Sequence, residues 1–286
     1  MIRDLAARKG EVELETRRRL DRFLETVEHA SRRLLMLDYD GTIAPLQKER
    51  DQVYPYPGIA AVIPEIMKHG RTRVAIVTGR DVNELIPRLG MQPVPELRGL
   101  YGMQRRRPGG AVETTAVKQS YLDALSDAMR WLEYQDLQEI AEVKPGGIAA
   151  HWRGLTERKA QEMHARVLLG WERIADRTGL QLLEFDGGME IRAPGADKGD
   201  VVRSLLAEEG VEVAAAYLGD DLSDEAAFRA MGDRGLSVLV GTQWRQTAAQ
   251  LWLKPPDEVL DFLEKWLSVC RKNNASGDTT AMAVNT

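Results

Sequence analysis

A single cysteine, Cys270, stands in 286 residues, so no internal disulfide is available and a reducing compartment is expected. Positive charge is in deficit too. Against 44 Asp and Glu there are 39 Lys and Arg, a formal net charge of −5 at pH 7, which removes the broad basic surface that nucleic acid or anionic membrane would require. No apolar run approaches the roughly 18 residues of a membrane-spanning helix, and the opening Met1-Ile2-Arg3-Asp4 lacks a secretory apolar stretch. The expected location is cytoplasmic, with neither membrane nor nucleic acid as partner. What is present is ordinary for a folded protein: 43% hydrophobic and 29% charged residues exclude a disordered or coiled-coil chain, and the length admits one large or two ordinary domains.

In residues 1–30, Leu14, Leu20, Phe23, Leu24 and Val27 recur at near-helical spacing among charges, which predicts an N-terminal surface helix packed by one stripe. Residues 272–286 carry no pattern able to bury a face and read as a disordered tail. Between them lie three runs with the unbroken hydrophobicity of strands covered on both faces: Leu34 to Leu37, Val74 to Val77 and Val213 to Leu218. Each stops at a polar cluster, respectively Asp38-Tyr39-Asp40-Gly41-Thr42, Thr78-Gly79-Arg80-Asp81 and Gly219-Asp220-Asp221. Helical patterns follow the last two, with Asp81 and Ser223 or Asp224 as candidate N-caps. Buried strands alternating with helices imply an α/β fold, a doubly wound parallel sheet whose ligands bind beyond the carboxyl ends of its strands. All three clusters are therefore expected on one edge.

The middle of the chain repeats itself. A helical pattern, then two strand-like runs flanking Lys144-Pro145-Gly146-Gly147, is followed by a second helical pattern and two runs flanking Asp186-Gly187-Gly188. These αββ units predict an inserted α+β cap domain at 108–188, interrupting a core formed by 31–107 and 189–271.

Asp38 and Asp40, two residues apart, repel each other, and burying such a pair calls for a cation; oxygen ligands with open coordination positions suit Mg2+. Asp220, Asp221 and Asp224 supply further carboxylates at another strand end. Magnesium held this way leaves room for a phosphate, and one carboxylate can then act as nucleophile through an aspartyl-phosphate while the other protonates the leaving alcohol. Asp38 and Asp40 are spaced for that division. Thr78, the Gly79 amide and Lys198 are the candidates to meet the phosphoryl oxygens.

In that order, Asp38-Tyr39-Asp40-Gly41-Thr42, Thr78-Gly79, Lys198 and Gly219-Asp220-Asp221 with Asp224 resemble the four motifs of the haloacid dehalogenase superfamily of phosphohydrolases. The resemblance implies Asp38 as nucleophile, Asp40 as acid and base, Thr78 and Lys198 as phosphate ligands, and Mg2+ bound by Asp38, the Asp40 carbonyl and Asp220. Asp221 and Asp224 would support the metal or orient Lys198. From Leu34 to about Trp266, Thr78-Gly79-Arg80, His151-Trp152-Arg153 and Met189-Glu190-Ile191-Arg192-Ala193-Pro194 narrow the resemblance to the trehalose-6-phosphate phosphatases. That implies a sugar phosphate substrate, a functional link to a trehalose-6-phosphate synthase, Arg80 in the phosphate pocket, and Lys144, Arg153, Glu190 and His151 facing the sugar. Where such enzymes usually carry Gly-X-His-Gly-Ala-Glu, this chain has Gly99-Leu100-Tyr101-Gly102-Met103-Gln104, which leaves related glycosyl phosphates open as substrates.

Other readings fit less well. Signalling receiver domains use the same residue types in a different order, with the acidic pair first. A phosphomutase of the same superfamily shares the four motifs but not the His-Trp-Arg and Met-Glu-Ile-Arg stretches. A non-catalytic sugar-phosphate-binding regulator would carry damage in the catalytic set, and none is visible. The run Arg105-Arg106-Arg107 reads as a solvated surface cluster, with phosphate steering near the cap hinge as the alternative, and oligomeric state is left open.

Overall fold

The computed structural model describes residues 18–47, 52–69, 71–195 and 197–282, with 273–282 described by backbone alone. In chain order the first elements are α1 (18–29), β1 (Arg32–Leu37), α2 (Ile59–Lys68), β2 (Thr72–Val77), α3 (Val82–Leu85), β3 (Glu96–Gly99), β4 (Gln104–Arg106) and β5 (Val112–Thr114). There follow α4 (Gln119–Tyr134), β6 (Ala141–Lys144), β7 (Gly147–His151), α5 (Glu157–Thr178), β8 (Gln181–Phe185) and β9 (Gly188–Arg192). The chain continues through α6 (Lys198–Glu209), β10 (Val213–Gly219), α7 (Glu225–Met231), β11 (Gly235–Val240), β12 (Leu251–Leu253) and α8 (Asp257–Met282).

Eight strands form one sheet in the order β12-β11-β10-β1-β2-β3-β4-β5, parallel as far as β3 and antiparallel at β4 and β5. The unbroken apolar runs are explained by cover on both faces. Leu35 and Leu37 pack with α1, α2 and α8, whereas Leu34 and Met36 pack with α6 and α7. Burying each such side chain contributes about 1.5–3 kcal/mol, and a charge in its place would lose that contribution and leave a buried ion to be solvated. β1 sits centrally, with Leu37 opposite both Leu218 of β10 and Ile76 of β2, so the loops leaving these three strands emerge side by side. Ligand chemistry is expected at that point of an open α/β sheet.

The stripe expected near the N-terminus is where α1 docks: Leu20, Leu24 and Val27 are buried in the core, and the Phe23 ring lies 5.9 Å from Trp266 of α8. Leu14 and the rest of 1–17 lie outside the described residues. At the other end α8 runs to Met282, so 272–282 continue a helix rather than forming a disordered tail. The apolar pattern of this stretch did not signal a helix; the helix is anchored upstream, through Phe262, Leu263, Trp266 and Cys270, and continues at one hydrogen bond per residue. Residues 283–286 lie outside the described residues.

The second sheet is antiparallel, β6-β7-β9-β8, with α4 and α5 on one face around Leu125, Leu132, Trp171, Ile148 and Ile191. Both expected boundaries at 108 and 188 shift. Val112–Thr114 pairs with Gln104–Arg106 in the large sheet, because Pro108-Gly109-Gly110 makes a hairpin turn rather than an interdomain linker. Gly188–Arg192 pairs with both β7 and β8, because the second αββ unit needs its last strand. The four-stranded unit thus spans 119–192. Arg105 is not a solvated charge either; it pairs with buried Glu96 at 3.0 Å and with Glu208 at 2.9 Å. Among the described residues no helix is long and apolar enough to cross a membrane.

Candidate active site

The site grows from the three loops. Asp38, directly after β1, donates its amide to Leu218 O at 2.9 Å and is 4% exposed. Gly41 follows with φ +76, and a Cβ there would stand 1.9 Å from Asp220 Oδ2, so only glycine lets this turn pass the β10 loop. Thr78, after β2, donates its amide to Arg98 O at 2.9 Å. The Thr78 hydroxyl accepts the Arg80 amide at 3.1 Å, which leaves its own proton free for a ligand.

After β10 the chain turns through a short 3-10 segment at Leu222–Asp224, capped by Asp221, and Asp224 then stands at the expected N-cap position of α7 without a side-chain capping bond. Asp221 accepts the Leu222 amide at 2.6 Å and also the Asp186 amide, from the β8–β9 turn, at 3.0 Å. Asp224 is fully buried. One of its oxygens accepts Lys198 Nζ at 2.8 Å and the Tyr217 hydroxyl; the other accepts the amides of Asp220 and Asp221 at 3.1 and 2.9 Å. All its lone pairs are thereby used, so Asp224 shapes the loop and holds Lys198 rather than facing a cation. Lys198 Nζ also stands 2.9 Å from Asp38 Oδ1.

Oxygens of Asp38, Asp220 and Asp224 lie within 4.8 Å of one another. The crowding shows in their protonation. Burial pushes the Asp38 carboxyl up to about 7, against the pull of the Lys198 charge. Burial together with the Asp38 and Asp224 charges drives Asp220 well above the carboxylate range, and burial and Asp224 raise Asp221. Burial opposes the charge on Lys198, but Asp224 and Asp38 more than offset it and hold its ammonium well above the usual range. Asp38 keeps an oxygen beyond its Lys198 contact and Asp220 has no lysine partner among the described residues, so the two form a donor set that fits a hard divalent cation.

Arg80, expected in the phosphate pocket, is 4% exposed, does not line the cavity, and instead grips Asp40. The cavity itself, about 350 Å³, opens between the two sheets. Asp38, Asp40, Thr78, Gly79, Lys198, Asp220 and Asp221 line it from the large sheet, and Lys144, His151 and Arg153 from the small one. Glu190 does not reach it: it stands behind Lys144, paired at 2.6 Å with both side chains buried. His151 is held by Glu142 at 2.7 Å, and Arg153 donates to Asp186 O at 2.6 Å.

The model of the family described as trehalose-phosphatase matches residues 36–254. The chain belongs to the trehalose-phosphatase family. Probable trehalose-phosphate phosphatase I of Arabidopsis thaliana is 30% identical over 270 residues, covering 86% of this chain and 71% of that protein. The alpha,alpha-trehalose-phosphate synthase [UDP-forming] B of Dictyostelium discoideum is 25% identical over 210 residues, 72% of this chain but 26% of that protein. The fold is that of the C. albicans trehalose-6-phosphate phosphatase C-terminal domain, with a TM-score of 0.77 and 19% identity over 87% of this chain and 96% of that one. A haloacid dehalogenase-like hydrolase from B. subtilis is also similar, with a TM-score of 0.60 and 15% identity over 81% and 99%.

Against the usual pattern of the trehalose-phosphatase family, the three departures in this chain do different things. Gln104 is tied into the turn, accepting the Val82 amide and donating to Asp81, each at 2.8 Å. Met103 packs on Gly146. Only Tyr101 lines the cavity. Its backbone is left-handed at φ 55, its amide donates to Thr78 O at 3.0 Å, and its ring lies so close to Gly79 that a Cβ there would meet it at 2.6 Å. Leu46, Gln47, Glu139 and Ile140 also line the cavity and carried no signal in the sequence.

Proposed function

We propose that this chain is a Mg2+-dependent phosphomonoesterase that hydrolyses trehalose 6-phosphate to trehalose and phosphate. One observation carries the reading. Lys198 stands between Asp38 and Asp224, at 2.9 and 2.8 Å, in a cavity whose facing wall offers Lys144, His151 and Arg153 to a polyhydroxylated group.

Asp38, Asp220 and the Asp40 carbonyl would hold Mg2+, with Asp221 beside them. The cation supplies positive charge that neutralises carboxylate and phosphate oxygens together. An Asp38 oxygen attacks phosphorus, the bond from phosphorus to the sugar oxygen breaks, and Asp40 gives that oxygen its proton. Water then attacks the phosphorus of the aspartyl-phosphate, losing a proton to Asp40, so Asp38 is regenerated and phosphate leaves. The Thr78 hydroxyl and Gly79 amide donate to the phosphoryl oxygens, and Lys198 balances their charge. Lys144, His151 and Arg153 meet the sugar hydroxyls; Glu190 acts by orienting Lys144, and Arg80 by holding Asp40.

Tyr101 favours a second reading, a phosphatase for a related glycosyl phosphate, because it changes the one position of the usual motif that lines the cavity. The test is phosphate release from trehalose 6-phosphate, sucrose 6-phosphate, glucosylglycerol phosphate, glucosyl- and mannosyl-3-phosphoglycerate and glucose 6-phosphate, with and without Mg2+. Trehalose 6-phosphate should give the highest kcat/KM, and only with the metal. Preference for another glycosyl phosphate selects the second reading. Similarity to part of a synthase supports a functional link to an enzyme that makes the substrate, and the single buried Cys270 fits a cytoplasmic setting.

A further inference from the structure

Arg192 ends β9 with 6% of its surface exposed. Its guanidinium lies over the Tyr101 ring at 5.0 Å, and its Nε has no hydrogen-bond partner among the described residues. No described carboxylate pairs with it. A cation this deep is costly to the fold unless an anion meets it.

The side chain lines a second cavity of about 470 Å³, bounded by β8, β9, the 3-10 segment and the amino-terminal end of α6. Tyr101, Lys198 and Ser223 line both cavities and form the partition between them. On the far side of that partition stand Arg192, Gln181 and the exposed Arg229. The acid on this wall, Asp197, is engaged elsewhere: it accepts the Asp200 amide at 2.8 Å as the α6 N-cap and faces Arg203 at 3.9 Å. The lining therefore presents guanidinium, amide and hydroxyl donors around a buried positive charge.

We propose that this second cavity binds a small oxyanion, phosphate or carboxylate, with Arg192 as its anchor. The planar fork of an arginine matches two oxygens of such a group, and Arg229 at the mouth adds a second charge that steers it in. The inference is independent of the reaction assigned to the first cavity, because none of Arg192, Gln181 and Arg229 lines that cavity.

The test is calorimetric titration of the full chain in Mg2+ with inorganic phosphate and, separately, with citrate, on the wild type, Arg192→Met and Arg192→Lys. The wild type should hold one anion more per chain than Arg192→Met, and the Arg192-dependent site should weaken about tenfold or more in Arg192→Lys, which keeps the charge and loses the fork. If phosphate shows this dependence, the anion is the kind the reaction releases; if only citrate does, it is a carboxylate from elsewhere. Either supports the site. A second measurement needs no variant: crystals soaked in tungstate should show a heavy-atom peak beside Arg192, separate from any peak beside Lys198. Equal stoichiometry and affinity in wild type and Arg192→Met for both anions, or tungstate found only beside Lys198, would overturn the proposal.

Discussion

Arg80 holds both carboxylate oxygens of Asp40, with Nε to Oδ2 at 2.7 Å and Nη2 to Oδ1 at 2.6 Å. The same residue donates its amide to the Thr78 hydroxyl, so one arginine ties the proposed acid to a proposed phosphate ligand. Lysine cannot reproduce the two-point grip. Arg80→Lys should lower kcat/KM for a sugar phosphate about tenfold or more, because the sugar oxygen leaves only with a proton well placed. p-Nitrophenyl phosphate, whose leaving group needs no proton, should lose much less. Equal losses in steady-state kinetics would show that Arg80 does not act through Asp40.

Lys198 is the cation shared by two buried carboxylates. Met in its place removes the charge and both contacts. Lys198→Met is expected to destabilise the metal-free fold by about 3–5 kcal/mol, the cost of leaving a buried charge without its partner. Urea unfolding measures this. A change under roughly 1 kcal/mol would mean that the Lys198 charge is not what holds this pair of carboxylates in the fold.

Asp38 also sets a pH dependence. Its carboxyl is raised by burial to about 7, from 3.8 for an ordinary aspartate, so between those values the folded chain binds a proton that the unfolded chain does not. Its contribution to stability is therefore full below the ordinary carboxylate range and is lost as pH rises through about 7. A divalent cation competes with that proton. Mg2+ should raise the melting temperature more at pH 8 than at pH 5.5, and Mg2+ affinity should rise with pH across neutrality. A shift independent of pH would contradict the placement of the metal on Asp38.

Tyr101 and Gly79 touch so closely that either one controls the other. Tyr101→His restores the residue usual in the trehalose-6-phosphate phosphatases. It should change the ratio of kcat/KM between trehalose 6-phosphate and glucosylglycerol phosphate by about tenfold, with p-nitrophenyl phosphate little affected. An unchanged ratio would remove Tyr101 from substrate selection.

Much of this arrangement was readable from residues alone. Unbroken apolar runs ending in Asp, Thr and Gly placed three strand ends together because a parallel sheet allows few other positions for them. The Gly-Gly hairpins marked the small sheet for similar reasons. The edges were less legible: Val112–Thr114 is too short and polar to signal a strand and is fixed by its partner Gln104–Arg106. Side-chain partnerships were least legible. Nothing in the spacing of Arg80, Glu190 or Arg192 tells that the first turns to Asp40, the second backs Lys144 and the third lies over Tyr101 with no carboxylate partner among the described residues, because these depend on which face each strand presents to the other sheet.

The most direct test of the proposed chemistry is to stop the reaction with trehalose 6-phosphate and Mg2+ in acid during turnover and map the phosphoryl group by peptide mass spectrometry. It is expected on Asp38 alone, with Asp38→Asn folded, unlabelled and lacking turnover. An active enzyme with no phosphoryl group on the Asp38 peptide, together with an Asp38→Asn variant that still releases phosphate, would contradict it.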